Sequence, residues 1–406
     1  MKVSEAIWIT GVGAGTPLGW DFETISGNLL AGKSAVAKIS SFDVSQHPCQ
    51  IAAALDEIPC PPDFNEAIFA KHTRLEKLSL WCCSQALRDA GLWDGRESKR
   101  IGIVLGTATE WAWFWENDTL NNCREIACDP ANDPPALLMT VQTELGLSGP
   151  LLTLSTACAS GNFAFAQARR WLELGWVDIC IAGGCDTAVT PMTMAGFGNL
   201  RALSRSNDRP EAASRPFDKD RDGFVLGEGG TVFVLERASA ARARGAHAYG
   251  EVSGFGLSSD AYHPIIPSPE PVQAIVAIRQ ALKDAKIDPS DVDYINAHGT
   301  STPVGDVAET KALRDVFGDR TKSIPVSSTK SMTGHLLTAA ASLEALACLA
   351  TFKYSALPPT INLDHPDPEC DLCHVANQAR EQPVRIAISN SFGFGGSNSC
   401  AVFRAV

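Results

Sequence analysis

The sequence predicts a layered α/β protein made of two similar halves. Three observations carry that expectation. Short apolar runs alternate with stretches of helical period, Gly-, Ser- and Thr-rich turns join them, and one outline occurs twice: LLTLSTACASGNFAFAQARRWLELG and IPVSSTKSMTGHLLTAAASLEALACLA both read as apolar strand, small polar turn, small-residue helix. Such elements bury their apolar faces by stacking helices on sheets. At 406 residues, 45% hydrophobic and 20% charged, the chain can enclose a large core. The repeat divides it into a first half, 1–250, and a second, 251–406.

The run 6–13 (AIWITGVG) predicts a first strand ending in glycines. Gly11, Gly13 and Gly15 do not make a dinucleotide loop, because Thr16 stands where the third glycine belongs. Residues 71–91 predict an amphipathic helix with Leu75, Leu78, Trp81 and Cys82 inward, Gly91 as its stop, and Lys71, Arg74 and Lys77 on the exposed face. A strand follows at 101–106. Next comes EWAWFWEN, whose apolar area in 111–115 predicts packing into a core, a subunit interface or a ligand tunnel. Further strands are expected at 177–183, 251–256, 292–297, 324–328 and, last, 385–389, with helices at 272–285, 306–317 and about 338–352. Asp218, Asp220, Asp222 and Gly223 resemble the start of a calcium loop, but Gly229 occupies the position of the bidentate acid, so that reading is rejected.

Composition narrows the function. The first residues lack a secretory signal pattern and no apolar run reaches membrane-spanning length, so a cytoplasmic protein is expected. The thirteen cysteines are read as reduced thiols, without structural disulfides or a metal site. A net charge of −12 argues against general nucleic-acid or anionic-membrane binding, and an acidic partner would need a local basic patch.

The chemistry is expected at strand ends. Cys158 lies between a strand and a helix, where the helix's first free N–H groups favour thiolate and can cradle an acyl oxygen. NAHGTSTPVGD places His298 just beyond a strand, before Thr300 and Thr302; SSTKSMTGHLL places Lys330 and His335 in a turn before a long helix. NSFGFGGSN sets Phe392 and Phe394 among glycines, a pattern suited to a hinged plug.

These motifs, in this order and with SRPFDKDRDGFVLGEG between them, resemble the elongating, Cys-His-His type of β-ketoacyl-[acyl carrier protein] synthase, of the thiolase superfamily. The resemblance implies a thiolase-like fold of two duplicated halves in five layers (αβαβα), usually in a homodimer. It implies that Cys158 accepts an acyl chain from the phosphopantetheine arm of acyl carrier protein, with no resident cofactor or metal. Malonyl carrier protein then loses CO2, and its carbanion attacks the thioester. By the same resemblance His298 and His335 promote decarboxylation, Lys330 organises the charge around them, and Glu344 with Asp306 or Glu309 support the site. The N–H groups of Cys158 and Phe394 form the oxyanion hole, Phe394 gates acyl entry with Phe392 beside it, and Thr300 and Thr302 bind the pantetheine arm.

Lys71, Arg74, Arg201 and Arg205 are the expected docking surface for the acidic carrier protein. Three departures from the family pattern stand out: EWAWFWEN replaces a glycine-rich segment, Ile265 replaces a threonine, and Thr338 and Ala341 replace glycines. The alternative is an idle partner subunit, of the chain-length-factor kind, lining the tunnel of an active homologue; such subunits lack the active cysteine. A cysteine hydrolase would leave Lys330 and the second histidine without a task.

Overall fold

The computed structural model describes residues 5–110, 112–120 and 136–406. Its main sheet has eleven strands, in chain order β1 (Ile7–Gly15), β2 (Ile101–Gly106), β3 (Leu151–Leu154), β4 (Ile179–Asp186), β5 (Gly229–Arg237), β6 (Gly250–Ser259), β7 (Tyr294–Asn296), β8 (Pro325–Ser327), β9 (Cys373–His374), β10 (Ile386–Phe392) and β11 (Ser397–Arg404). Their spatial order is β9-β8-β7-β10-β11-β6-β1-β5-β4-β2-β3. Starting from the centre, the first half reads first, fifth, fourth, second, third strand; the second half reads the same, with β9 added at its edge. The weak repeat in the sequence is therefore a true duplication of topology. The halves join where β1 pairs antiparallel with β6, Trp8 opposite Glu251.

Three packing clusters produce five layers. Helices α1 (Arg74–Asp89) and α2 (Leu137–Glu144) cover the outer face of the first half through Leu78, Val141, Ile103 and Val234. On the outer face of the second, α4 (Val272–Ala285) and α5 (Pro303–Phe317) pack Ile278 and Leu313 against Ile295 and Val402. Between the halves lie α3 (Ser160–Glu173) and α6 (Ala340–Tyr354), with Phe165, Leu346, Phe233 and Phe403 in one core. This is the expected thiolase-like, five-layer α/β fold. It explains why α6 is apolar almost all round: a helix held between the two halves of the sheet has no wet face. A Cβ on Gly161 of α3 would stand 2.7 Å from the Ser342 amide, so the two central helices can cross only where one offers glycine.

Local signals account for most element ends. Thr73 and Glu76 form a reciprocal capping box, so α1 begins at Arg74, inside the expected 71–91. Helix α4 spans the expected residues. The last strand does not: β10 continues to Phe392, and NSFGFGGSN is a hairpin into the antiparallel β11, not a final turn after 385–389. Ala112–Leu120 is a helix, but Trp115 is 56% exposed and outside any core; Trp111 and the side chain of Trp113 lie outside the described residues. Among the described residues no helix is long and apolar enough to cross a membrane, and the eleven described cysteines are free thiols.

Candidate active site

The duplication brings the reactive groups together. β3 and β8 are equivalent strands, and Cys158 and His335 occupy the turns after them, at the starts of the central helices. Ala157 is held at a φ of +50°, an uncommon conformation for a residue with a side chain, and this sharp bend projects the next residue away from the sheet. Gly393 lets the Phe392–Phe394 hairpin lie against that bend, since a Cβ there would meet Cys158 N and Thr156 O at 3.1 Å. Ser391 Oγ donates to the Cys158 carbonyl at 3.0 Å and completes the join between halves.

His335 Nε2 stands 3.0 Å from Cys158 Sγ. Its Nδ1 accepts the Leu337 N–H at 3.2 Å, so in the neutral ring the hydrogen sits on Nε2. His298 is set the same way: its Nδ1 faces the Lys330 ammonium at 3.4 Å, a group able only to donate, which leaves Nε2 as the N–H. The two rings lie 5.5 Å apart, nearly perpendicular. Burial first, and the Lys330 charge second, hold both imidazoles well below the usual histidine range and therefore uncharged near neutrality.

Lys330 is 2% exposed, paired with the equally buried Glu344, and donates to the His298 carbonyl at 2.7 Å. Burial pushes the Glu344 carboxyl up to about 7, against the pull of Lys330. Glu309 accepts from the N–H groups of His298 (2.9 Å) and Gly299 (2.8 Å) and from Asn390. Asp306 accepts from Phe217 N at 2.8 Å and from the Thr300 N–H, faces Arg221 at 3.5 Å, and is raised to about 7 by burial. All three acids expected to support the site touch its residues: Glu344 holds Lys330, Glu309 holds the main chain of His298, and Asp306 holds the Thr300 N–H while bracing the neighbouring 217–221 loop.

The thiol departs from the expectation of a lowered pKa. Cys158 is buried, and desolvation pushes it up to about 11 despite the Lys330 charge and the N–H groups of Phe394 and Cys158 that face it. Those two amides converge beside the sulfur, where main-chain donors can meet a carbonyl oxygen.

Cys158, His298 and His335 line a cavity of about 400 Å³ that also includes Thr300, Thr302, Phe392 and Phe394. Its mouth is marked by Leu200, Ile266 and Val304, which line it and are about half exposed. The Thr300 and Thr302 hydroxyls lie 3.0 Å apart, and Thr302 also caps α5. Ile265 lines its wall. Phe394 leans on Phe197, ring centres 6.1 Å apart.

Of the four cations expected to dock a partner, Arg201 lines the mouth and is exposed. Arg205 is exposed beside it, its N–H bonded to Asp222. Lys71 is exposed just before α1, away from the cavity lining. Arg74 is already engaged: it pairs with the buried Glu228 at 2.9 Å and donates to the Leu55 and Asp56 carbonyls.

The sulfur and the two ring nitrogens lie within 4.8 Å of one another, the one such trio of metal-ligand atoms among the described residues. Its donors do not suit a metal. Both Nε2 atoms carry the hydrogen, and a cation stands against His298 Nδ1, where a metal-binding histidine has an acceptor. The cysteines were expected to include no CxxC pair, but CDLCH at 370–374 is one. Its groups diverge: Cys373 Sγ faces Arg380, Cys370 bonds Thr310, and His374 Nε2 bonds the Cys370 carbonyl. Asp186, at the end of β4 behind the cavity wall, was not anticipated either. A lone acid closing an apolar strand was the only sign of it.

A thiol beneath two uncharged N–H donors and two backbone amides, at the strand ends of a duplicated five-layer fold, defines a thioester-handling acyltransferase. Residues 4–241 match the beta-ketoacyl synthase N-terminal domain and residues 249–364 its C-terminal domain. The chain is 40% identical over 413 residues to 3-oxoacyl-[acyl-carrier-protein] synthase 2 of Synechocystis sp., and 41% over 411 residues to that of Coxiella burnetii, each covering 98% of both chains. Among solved structures it is similar to a beta-ketoacyl synthase from Burkholderia phymatum (TM-score 0.90, 32% identity, 99% of this chain and 100% of that one). It is also similar to a chain from a type II PKS acyl-carrier protein in complex with its ketosynthase bound to the hexaketide (TM-score 0.90, 30% identity, 100% of both). The chain belongs to the beta-ketoacyl synthase family, and its activity is that of a condensing acyltransferase.

Proposed function

We propose that this chain extends an acyl thioester by two carbons with malonyl-[acyl carrier protein] as donor, in fatty-acid synthesis or a related polyketide pathway. The observation that carries the reading is the pair of imidazoles held as Nε2–H donors beside Cys158. In the first step the Cys158 sulfur attacks the carrier-borne thioester, the pantetheine thiol leaves with the proton, and the acyl group stays on Cys158. The thiol's elevated pKa means that it is activated as the substrate arrives, by the amides of Cys158 and Phe394 and the positive end of α3. In the second, malonyl thioester loses CO2 and the charge moving onto its carbonyl oxygen is met by the N–H groups of His298 and His335. Uncharged rings suit this, because they donate hydrogen bonds without quenching the carbanion by proton transfer. The carbanion then attacks the acyl carbonyl, the oxyanion rests on the two amides, and the Cys158 sulfur leaves.

In this reading the 1–250 half supplies the nucleophile and the 251–406 half the imidazoles. Lys330 and Glu344 fix His298 from behind and Glu309 fixes its backbone; Thr300 and Thr302 bind the pantetheine arm, and Phe392 and Phe394 gate the acyl group. Asp306 steadies the Thr300 main chain. No resident cofactor or metal is needed, because phosphopantetheine arrives on the carrier protein. Arg201 and Arg205 dock that protein, with Lys71 an outlying contact. The protein works in the cytoplasm as a homodimer or beside a related synthase. Purified protein mixed with acyl and malonyl carrier proteins should yield a carrier-bound 3-oxoacyl product two carbons longer, read by mass. Failure to form it, together with tight binding to a second synthase, would favour the idle-partner reading instead.

A further inference from the structure

Asp186 is fully buried at the end of β4, does not line the cavity, and has no cationic partner among the described residues. A carboxylate so placed persists only if hydrogen bonds replace its water. Four do. Thr109 donates to one oxygen through its N–H (3.1 Å) and its hydroxyl; Thr338 donates to the other through its N–H (3.3 Å) and its hydroxyl (2.5 Å). The two threonines belong to opposite halves. Thr109 follows β2 next to Ala108, and Thr338 ends the turn begun by His335; Ala108 and Thr338 both line the cavity. Within that turn, the Leu337 N–H fixes the His335 ring and the next N–H, of Thr338, is the one Asp186 holds.

We propose that Asp186 is a positioning residue for the condensation: by clasping Thr109 and Thr338 it fixes the 335–338 turn against the first half, and so sets His335 Nε2 over the Cys158 sulfur. This rests on the condensation reading above. A carboxylate is required because it accepts on both sides; an asparagine would turn its NH2 toward one pair of donors and leave them unpaired.

The test compares wild type with Asp186→Asn, Thr338→Val, which keeps shape and N–H but loses the hydroxyl, and Thr338→Ser, which keeps the hydroxyl. Three readouts are taken: melting temperature, kcat and KM for malonyl carrier protein, and the rate at which iodoacetamide alkylates Cys158 at pH 8. Asp186→Asn and Thr338→Val should lower kcat about tenfold or more with KM within about twofold, and change the alkylation rate about threefold or more. Thr338→Ser should recover more than half of what Thr338→Val loses. Folded Thr338→Val with wild-type kcat and alkylation overturns the proposal, even if Asp186→Asn does not fold. If wild type does not condense, the condensation reading fails by itself, and the alkylation rates still decide whether Asp186 positions His335.

Discussion

The turns after β3 and β8 occupy the same place in the two halves, yet one carries a thiol and the other an imidazole. Beside the His335 ring, the groups that face the Cys158 sulfur are main chain: the amides of Cys158 and Phe394, next to a strained Ala157 and the free end of α3. Around His298 they are side chains, Lys330, Glu344 and Glu309, all buried, while the His335 ring rests on the Leu337 N–H. The contrast follows from the work each turn does. A nucleophile that must form and break a bond is served by donors that hold an oxyanion and cost no side-chain entropy. Two imidazoles that must keep one tautomer need partners able only to donate on one side, which a lysine or a backbone N–H supplies and a hydroxyl does not.

The comparison breaks most sharply at the nucleophile. Cys158→Ala should abolish condensation, a loss on the order of 10³-fold or more, while CO2 release from malonyl carrier protein continues, since that step uses the second half's groups. His335→Ala should do the reverse, leaving acyl-enzyme formation measurable by mass but lowering decarboxylation about 10²-fold or more. Radiolabelled CO2 release beside intact-protein mass separates the two. Loss of both reactions in both variants would mean that the halves do not divide the chemistry.

Lys330 sharpens the same comparison through stability. Lys330→Met leaves Glu344 buried without a cation, a loss of about 3–5 kcal/mol at pH 8 in a melt or urea titration. The sign with pH is fixed. The folded Glu344 carboxyl, already raised to about 7 by burial, rises further without Lys330, whereas the unfolded one stays near its ordinary value. The folded variant then binds more protons, so its deficit grows as pH increases from 5 to 8 and shrinks in acid. A deficit independent of pH would show that Glu344 is not charged beside Lys330.

How far the sequence revealed these features depended on range. The strand, bend and helix around Cys158 are consecutive residues, and helix α4 announces itself by its own periodicity; both were readable. The clasp at Asp186 joins residues 77 and 152 positions away, which no local pattern records. Trp115 lies outside this chain's core, because apolar area says that a residue needs cover without saying whether a core, a tunnel or a second subunit supplies it. The thiol's pKa was misjudged because the helix end is a local feature while burial is a property of the whole fold.

Arg74 and Arg205 illustrate the same limit and give the smallest effect. Both read as free cations suited to an acidic carrier protein, yet Arg74 is bonded to Glu228, 154 positions on, which also holds the N–H groups of Leu55 and Val189. Burial already raises Glu228, so a glutamate at 74 would place two acids together. Arg74→Glu should therefore destabilise the fold by about 1–3 kcal/mol and slow every acyl donor through lost protein. Arg205→Glu should leave the melting temperature in place and raise KM for carrier-borne donors about three- to tenfold, with a small acyl thioester unaffected, because only a macromolecular partner senses charge at the mouth of the cavity. Equal KM changes for both donors would remove Arg205 from the docking surface. An unchanged melting temperature in Arg74→Glu would return Arg74 to it.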